Sequence, residues 1–264
     1  DNLFELNSAG SAGGAIHFSS LSGATITDNR FLTNTSADSG GAITMMFANS
    51  EYAQGGLANN LIAGNAVTDP AGYGGGIDVA LFHSLSQFFM TNCTIEGNTA
   101  IASGGGIFMD LPAGCPAVLE NCIIWNNTPN QIGLDDADQP SVIYSDIQGT
   151  WTGVGNIDAG PEFVTGPDGD FYLSQIAAGQ ATDSPCMDTG NMAADALCFT
   201  GSSGWDCMDG RSTRTDTVAD SGQVDMGYHY LSGGAPPPTS TPKTFRFPGP
   251  GRAPTRESPN GEWT

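Results

Sequence analysis

FLTNTSADSGGAI, residues 31–43, sets out a Phe, an Asn three positions on, a glycine pair and then an Ile. The same phrase occurs as Phe4…Asn7…Gly13-Gly14-Ala15-Ile16 and as Ile95…Asn98…Gly104-Gly105-Gly106-Ile107. A longer copy is Ile62…Asn65…Gly74-Gly75-Gly76-Ile77, and Ile124…Asn127 is a half-copy. Asn and Ile lie 9 residues apart in three copies and 12 in the fourth, and successive Asn residues are 27, 31, 33 and 29 apart. A period near 30 residues in a β-type sequence describes one coil of a solenoid. A propeller blade would need about 40 residues or more, and the Leu scaffold of a leucine-rich repeat is missing.

In a parallel β-helix, equivalent residues of successive coils lie about 4.8 Å apart, so every repeated position becomes a column. Phe4, Phe31, Ile62, Ile95 and Ile124 are expected to stack inside. Asn7, Asn34, Asn65, Asn98 and Asn127 are expected to form an amide ladder at a turn, because Asn tolerates left-handed backbone angles and its amide both donates and accepts. The glycines turn a corner where a Cβ would clash, and Ile16, Ile43, Ile77 and Ile107 begin the next buried strand. The expected fold is all-β, a parallel β-helix with a loop-rich C-terminal cap and an extended Pro-rich tail. Its parts are coils over 1–127, final coils and cap over 128–230, and a tail over 231–264.

Composition agrees with a turn-rich β protein. The 264 residues include 37 Gly, 39% hydrophobic and only 13% charged residues. Seven Glu and a single Lys, against 21 Asp, leave little material for surface helices. No apolar run is long enough to span a membrane as a helix. Without an initiator Met or signal peptide, the sequence reads as a processed or truncated chain. Residues 1–230 carry 26 acids and three bases, a balance of −23, whereas residues 231–264 carry four bases and two acids, a balance of +2. Such an acidic body repels phosphates, so nucleic acid is not an expected partner.

Two positions before the apolar column stand Asn2, Asn29, Asn60, Cys93 and Cys122. Cys93 and Cys122, neighbours in one column, are therefore disulfide candidates. Cys198 and Cys207 could close a short loop, while the pairing of Cys115 and Cys186 stays open. Six cysteines fit an oxidising compartment.

From residue 121 the phrasing changes to IIWNN (123–127), YSDIQG (144–149), GNIDAGPEFV (155–164), GDFYL (169–173), SPCMDTGN (184–191), DGRSTR (209–214) and VDMGYHY (224–230). These pieces resemble the C-terminal part of choice-of-anchor Q domain proteins of bacterial surfaces. The N-terminal coils resemble the repeats of polymorphic outer membrane proteins. The resemblance covers residues 1–230 and implies a secreted, right-handed parallel β-helix at or released from a cell surface, with no agreed catalytic residues.

An enzyme is the principal alternative, since polysaccharide lyases need a Lys or Arg base and glycosidases need paired carboxylates. The outward position after the glycine corner carries His17, Thr44, Asp78 and Phe108. The one beside the apolar column carries Glu5, Leu32, Ala63, Glu96 and Trp125. Neither stacks acids in neighbouring coils, so no catalytic residue and no cofactor are expected. Asp135 and Asp136 form an acid pair in a loop-like stretch. Calcium held by Asp206, Asp209 and Asp225 is the alternative to structural Asp turns, and a calcium-dependent glycan-binding module is a third reading.

Leu3, Leu61 and Ile123, with Leu32, Ala63 and Trp125, make one outer face unusually apolar, which predicts contact with something unless a local loop covers it. The expected function is an extracellular structural or adhesive protein. It is expected to associate with itself through its open coil ends and the tail residues Phe245, Arg246, Phe247 and Trp263, with surface glycans as further partners.

Overall fold

The computed structural model describes residues 2–47, 53–135, 138–201 and 204–233. Asp136 and the tail residues Phe245, Arg246, Phe247 and Trp263 lie outside the described residues. The chain winds into a parallel β-solenoid with three principal sheets. The first contains Leu3–Glu5, Arg30–Leu32, Leu61–Ala63, Thr94–Glu96, Ile123–Trp125 and Asp146–Ile147. The second contains Ile16–Leu21, Ile43–Phe47, Ile77–Ala80, Ile107–Asp110 and Ile132–Leu134. The third contains Gly23–Thr27, Gln54–Ala58, Gln87–Thr91, Ala117–Glu120 and Ser141–Ile143.

Registers follow the repeated phrase: Phe4 pairs with Phe31, Phe31 with Ile62, Ile62 with Ile95 and Ile95 with Ile124. These residues face the lumen, where Phe31, Ile62, Ile95 and Ile124 are fully buried. The second sheet adds Ile43, Met45, Ile77, Val79, Ile107 and Met109, and the third adds Leu57, Phe88, Met90 and Leu119. Burying these columns is the main driving force of the fold, at about 1.5–3 kcal/mol per large apolar side chain.

The first ladder links five successive coils. The backbone N–H of Asn7, Asn34, Asn65 and Asn98 donates to Oδ1 of the Asn in the next coil at 2.8–3.0 Å. Each Nδ2 donates to that same Oδ1. The left-handed backbone angle expected at these Asn residues falls instead one residue earlier, on Leu6, Thr33, Gly64, Gly97 and Asn126. Division of labour explains this: one residue bends the chain, and the next points an acceptor inward.

The other end of each first-sheet strand repeats the device. Asp28, Asn59, Asn92, Asn121 and Tyr144 take the left-handed angle. The following residues form a second ladder: Asn2 N donates to Asn29 Oδ1, Asn29 N to Asn60 Oδ1 and Asn60 N to Cys93 Sγ. Cys122 N then donates to Ser145 Oγ and Ser145 N to Asn156 Oδ1. Cys93 and Cys122 are thus neighbours in one column, yet they are buried free thiols and not a disulfide. Each sulfur points along the stack to accept the preceding coil's N–H. Bonding the sulfurs to each other would strip those acceptors from two buried amides.

The two glycines of a corner serve different purposes. Gly40 has φ +58°, which the backbone reversal requires, whereas a Cβ on Gly41 would stand 2.0 Å from the carbonyl oxygen of Gly75 in the next coil.

The coils continue past residue 127, and Trp151 packs on the end of the lumen. Beyond the coils the chain folds back as a cap with little regular structure. It contains the hairpin Phe163–Gly166 with Gly169–Leu173, the hairpin Cys198–Gly201 with Gly204–Cys207, and the pair Arg211–Ser212 with Tyr230–Leu231. Cys198 and Cys207, directly opposite in their hairpin, form a disulfide.

The cap lies on the apolar outer face of the first sheet. Leu61 and Ala63 are buried with Tyr172, Tyr228 and Tyr230, while Leu32 packs at their edge. Ile123 is buried with Leu173, Cys186 and Met226, flanked by Trp125. The face expected to meet a partner therefore meets the chain's own C-terminal segment, and the anticipated landing surface for the tail is occupied. Leu3, at the first coil, remains half exposed.

Candidate functional site

The left-handed column that bends the first sheet also holds the cap. Asn59 donates to His229 O at 2.9 Å and accepts from His229 N at 2.7 Å. Asn92 donates to Asp225 O, Asn121 O accepts from Gly227 N, and Asn121 Oδ1 accepts from Asn191 N. Asp28 meets Arg211 at 3.0 Å, and that guanidinium also binds Asp206. The segment VDMGYHY thus crosses successive coils and collects one bond set from each. The adjacent pairs Asp28-Asn29, Asn59-Asn60, Asn92-Cys93 and Asn121-Cys122 carry the signal in the sequence: the second member of each continues the inner ladder and the first member holds the cap.

A cleft of about 450 Å³ opens in the cap, lined by Gln175, Asp183, Asp188, Thr213, Asp220 and Asp225 among others. Behind it, Asp220, Asp225 and His229 bring ligand-type atoms within 4.8 Å of one another. Most of their ligand atoms are engaged by protein groups. Asp225 Oδ1 accepts from Asp188 N at 2.7 Å, and its Oδ2 accepts from Thr213 Oγ1 and Gln175 Nε2. Asp220 Oδ2 accepts from Asp225 N at 3.0 Å and lies 2.9 Å from His229 Nε2. Burial, with Asp220 alongside, pushes the Asp225 carboxyl up to about 6. This is a buried hydrogen-bond network that fixes the cap. Among the described residues the calcium candidates Asp206, Asp209 and Asp225 do not gather into one ligand set. Asp206 is held by Arg211, Asp209 lies on the short 3-10 turn Met208–Gly210, and Asp225 is saturated by protein donors.

The second sheet presents a different surface. Thr44, Asp78 and Phe108 are in register on successive strands, and Ala80 is in register with Asp110. Asp135 N donates to Met109 O, which carries the pairing one residue further and sets Asp135 opposite Asp110. Carboxylates on three successive coils therefore share this face. The columns His17, Thr44, Asp78, Phe108 and Glu5, Leu32, Ala63, Glu96, Trp125 stack no acids in neighbouring coils, whereas Asp110 and Asp135 stand opposite each other in the next outward column of the second sheet.

Tyr73 stands over this group. Its ring centroid is 4.4 Å from that of Phe108, and the residue is 38% exposed. Burial, followed by Asp78, Asp110 and Asp135, raises the Tyr73 hydroxyl above its ordinary range. Asp78 is only 3% exposed. Burial is the main cause that lifts its carboxyl to about 6, assisted by Asp110 and opposed by a hydrogen bond with Ser39. The result is an exposed aromatic platform, rigidly mounted on coil corners and surrounded by oxygen acceptors.

Comparison with known proteins comes down to one family. The family described as right handed beta helix region matches residues 1–147, more than half of the chain, and the chain belongs to it. No curated protein and no solved structure matches the chain. Among the described residues no helix is long and apolar enough to cross a membrane.

Proposed function

We propose that the protein is an extracellular, non-enzymatic adhesive β-helix that holds neutral glycans against the outer face of its second sheet. The observation that carries this reading is the Tyr73–Phe108 ring pair beside Asp78, Asp110 and Asp135. An exposed aromatic ring offers an apolar face to a sugar, while carboxylates accept hydrogen bonds from its hydroxyls. A net charge of −21 disfavours polyuronates and other anionic chains. The resemblance to choice-of-anchor Q proteins and the Cys198–Cys207 disulfide support an extracellular or surface location.

Retention on immobilised neutral polysaccharide tests the proposal: the protein should be held back, and Tyr73→Ala should be held back measurably less. Equal retention of both proteins would exclude this face. A glycosidase is the second reading, favoured by the raised Asp78 carboxyl close to Asp110. It requires release of reducing ends that disappears in Asp78→Asn. Copies are further proposed to associate through residues 236–264 by charge alone, basic tail on acidic body, since the apolar columns are covered.

A further inference from the structure

The first ladder has to end, and its ending builds a second site. Asn127, on the last coil to carry the ladder Asn, has no Asn above it to accept from its N–H and Nδ2. Gln131 supplies the acceptor: Asn127 Nδ2 and N donate to Gln131 Oε1 at 2.7 and 3.2 Å. Gln131 Nε2 in turn donates to Gln148 Oε1 at 3.1 Å, and that oxygen also accepts from Asn126 N at 2.8 Å. Both side-chain bonds of Gln148 run through its oxygen, the residue is exposed, and its Nε2 is available as a donor.

This junction lines a cleft of about 610 Å³, whose walls include Asn126, Asn130, Gln131, Gln148, Thr150 and Trp151. That volume falls within the range of roughly 300–1,000 Å³ common for small-ligand sites. No residue lining it is charged, although the chain as a whole carries −21. Amide and hydroxyl groups offer both donors and acceptors, as a polyol requires. Trp151 is partly buried where it closes the lumen, and its remaining surface forms an apolar wall.

We propose that this cleft is a binding site for a neutral saccharide, distinct from the Tyr73 face and independent of it. Sugar hydroxyls would bond to the Gln148 and Asn130 side chains, with one ring face against Trp151. A uronic acid gains no cation here and meets the protein's negative field, so the site selects uncharged units.

Calorimetric titration of the full chain with neutral gluco-, xylo-, manno- and chito-oligosaccharides, and with oligouronates as the contrast, provides the test. Gln148→Glu keeps the acceptor that Asn126 and Gln131 use, and replaces the available donor with a charged acceptor. Thr150→Arg fills the cleft; Thr150 is exposed and β-branched at φ +66°, so an unbranched side chain is better tolerated at that angle, and circular dichroism of the variant checks its fold. The expected result is saturable binding of a neutral oligosaccharide. The part of it that persists in Tyr73→Ala should weaken about tenfold on adding Gln148→Glu and vanish on adding Thr150→Arg. The site is overturned if no neutral oligosaccharide binds at roughly 10 mM, enough to fill a 1 mM site to about nine-tenths. It is also overturned if Thr150→Arg binds as the parent does, if oligouronates bind equally well, or if only Tyr73→Ala abolishes binding. The last outcome would leave the second-sheet proposal standing and remove this one.

Discussion

Replacing Asn65 by Leu isolates the energetic worth of one rung of the ladder. Asn65 Oδ1 accepts from Asn34 N at 2.8 Å and from Asn34 Nδ2 at 2.9 Å. Its Nδ2 donates to Phe31 O and to Asn98 Oδ1, both at 2.9 Å. In the Leu variant the buried Asn34 N–H loses its acceptor, at about 1–3 kcal/mol for an orphaned buried donor. Asn34 Nδ2 retains Phe4 O, and Asn98 Oδ1 retains the Asn65 N–H. The weakened bonds at Asn34 Nδ2 and Phe31 O add about 0.5–1.5 kcal/mol each. The expected cost is therefore roughly 2–6 kcal/mol, a large part of a typical folding stability of about 5–15 kcal/mol. Asn7 occupies the same column on the first coil and is exposed. Asn7→Leu removes one amide donor to Asn34 Oδ1, which still accepts from Asn7 N. Its cost should lie below about 1 kcal/mol. Urea unfolding followed by circular dichroism, with midpoint and slope fitted together, measures both. Equal losses at the two positions, or a loss under about 1 kcal/mol at Asn65, would refute the argument that buried acceptors set the ladder's strength.

Three further outcomes are expected. Asp78 holds its proton more tightly folded than unfolded, about 6 against 3.8, so its contribution is favourable below about pH 4 and is lost as pH rises toward 6, a change of about 3 kcal/mol. Asp78→Asn should accordingly raise the melting temperature at pH 7.5 and not at pH 4; the same shift at both values would refute the assignment. With Cys198–Cys207 closed, thiol titration of denatured, unreduced protein should count Cys93, Cys115, Cys122 and Cys186, while the native protein reacts slowly because burial raises all four thiols. A count of two would mean that one more pair is bonded. Removing residues 236–264 should abolish concentration-dependent association in light scattering, and the tail proposal fails if the truncated protein assembles as the full chain does.

The coils were legible in the sequence because a solenoid turns sequence period into spatial column. Once Asn7, Asn34, Asn65, Asn98 and Asn127 are aligned, the register of the first sheet follows, and the inward side chains follow from alternation. Proximity in a column does not fix orientation, which is why Cys93 and Cys122 were misjudged. Parallel in-register side chains point the same way, and at this corner that direction serves the preceding coil's N–H. The left-handed angle falls one residue before the ladder Asn for a related reason: the residue that bends the chain precedes the one whose side chain points inward along the stack.

The cap was not legible, because its contacts join irregular chain to coils far away in sequence; Asn59 and His229 are 170 residues apart. The sequence still posed the right question by leaving Leu61, Ile123 and Trp125 on an outer face with nothing assigned to cover them. A second sheet bearing Asp78, Asp110 and Asp135 posed no such demand, since acids are at home in water, and it drew no attention. In the folded chain the two faces separate cleanly. The apolar one is sealed by the protein itself and so serves stability, whereas the acidic one keeps an exposed Tyr73 and a buried carboxylate that costs stability at neutral pH. A cost retained on an open face is the pattern expected where binding has been favoured over stability. That pattern favours the proposed glycan surface on the second sheet over the apolar columns that first suggested a partner.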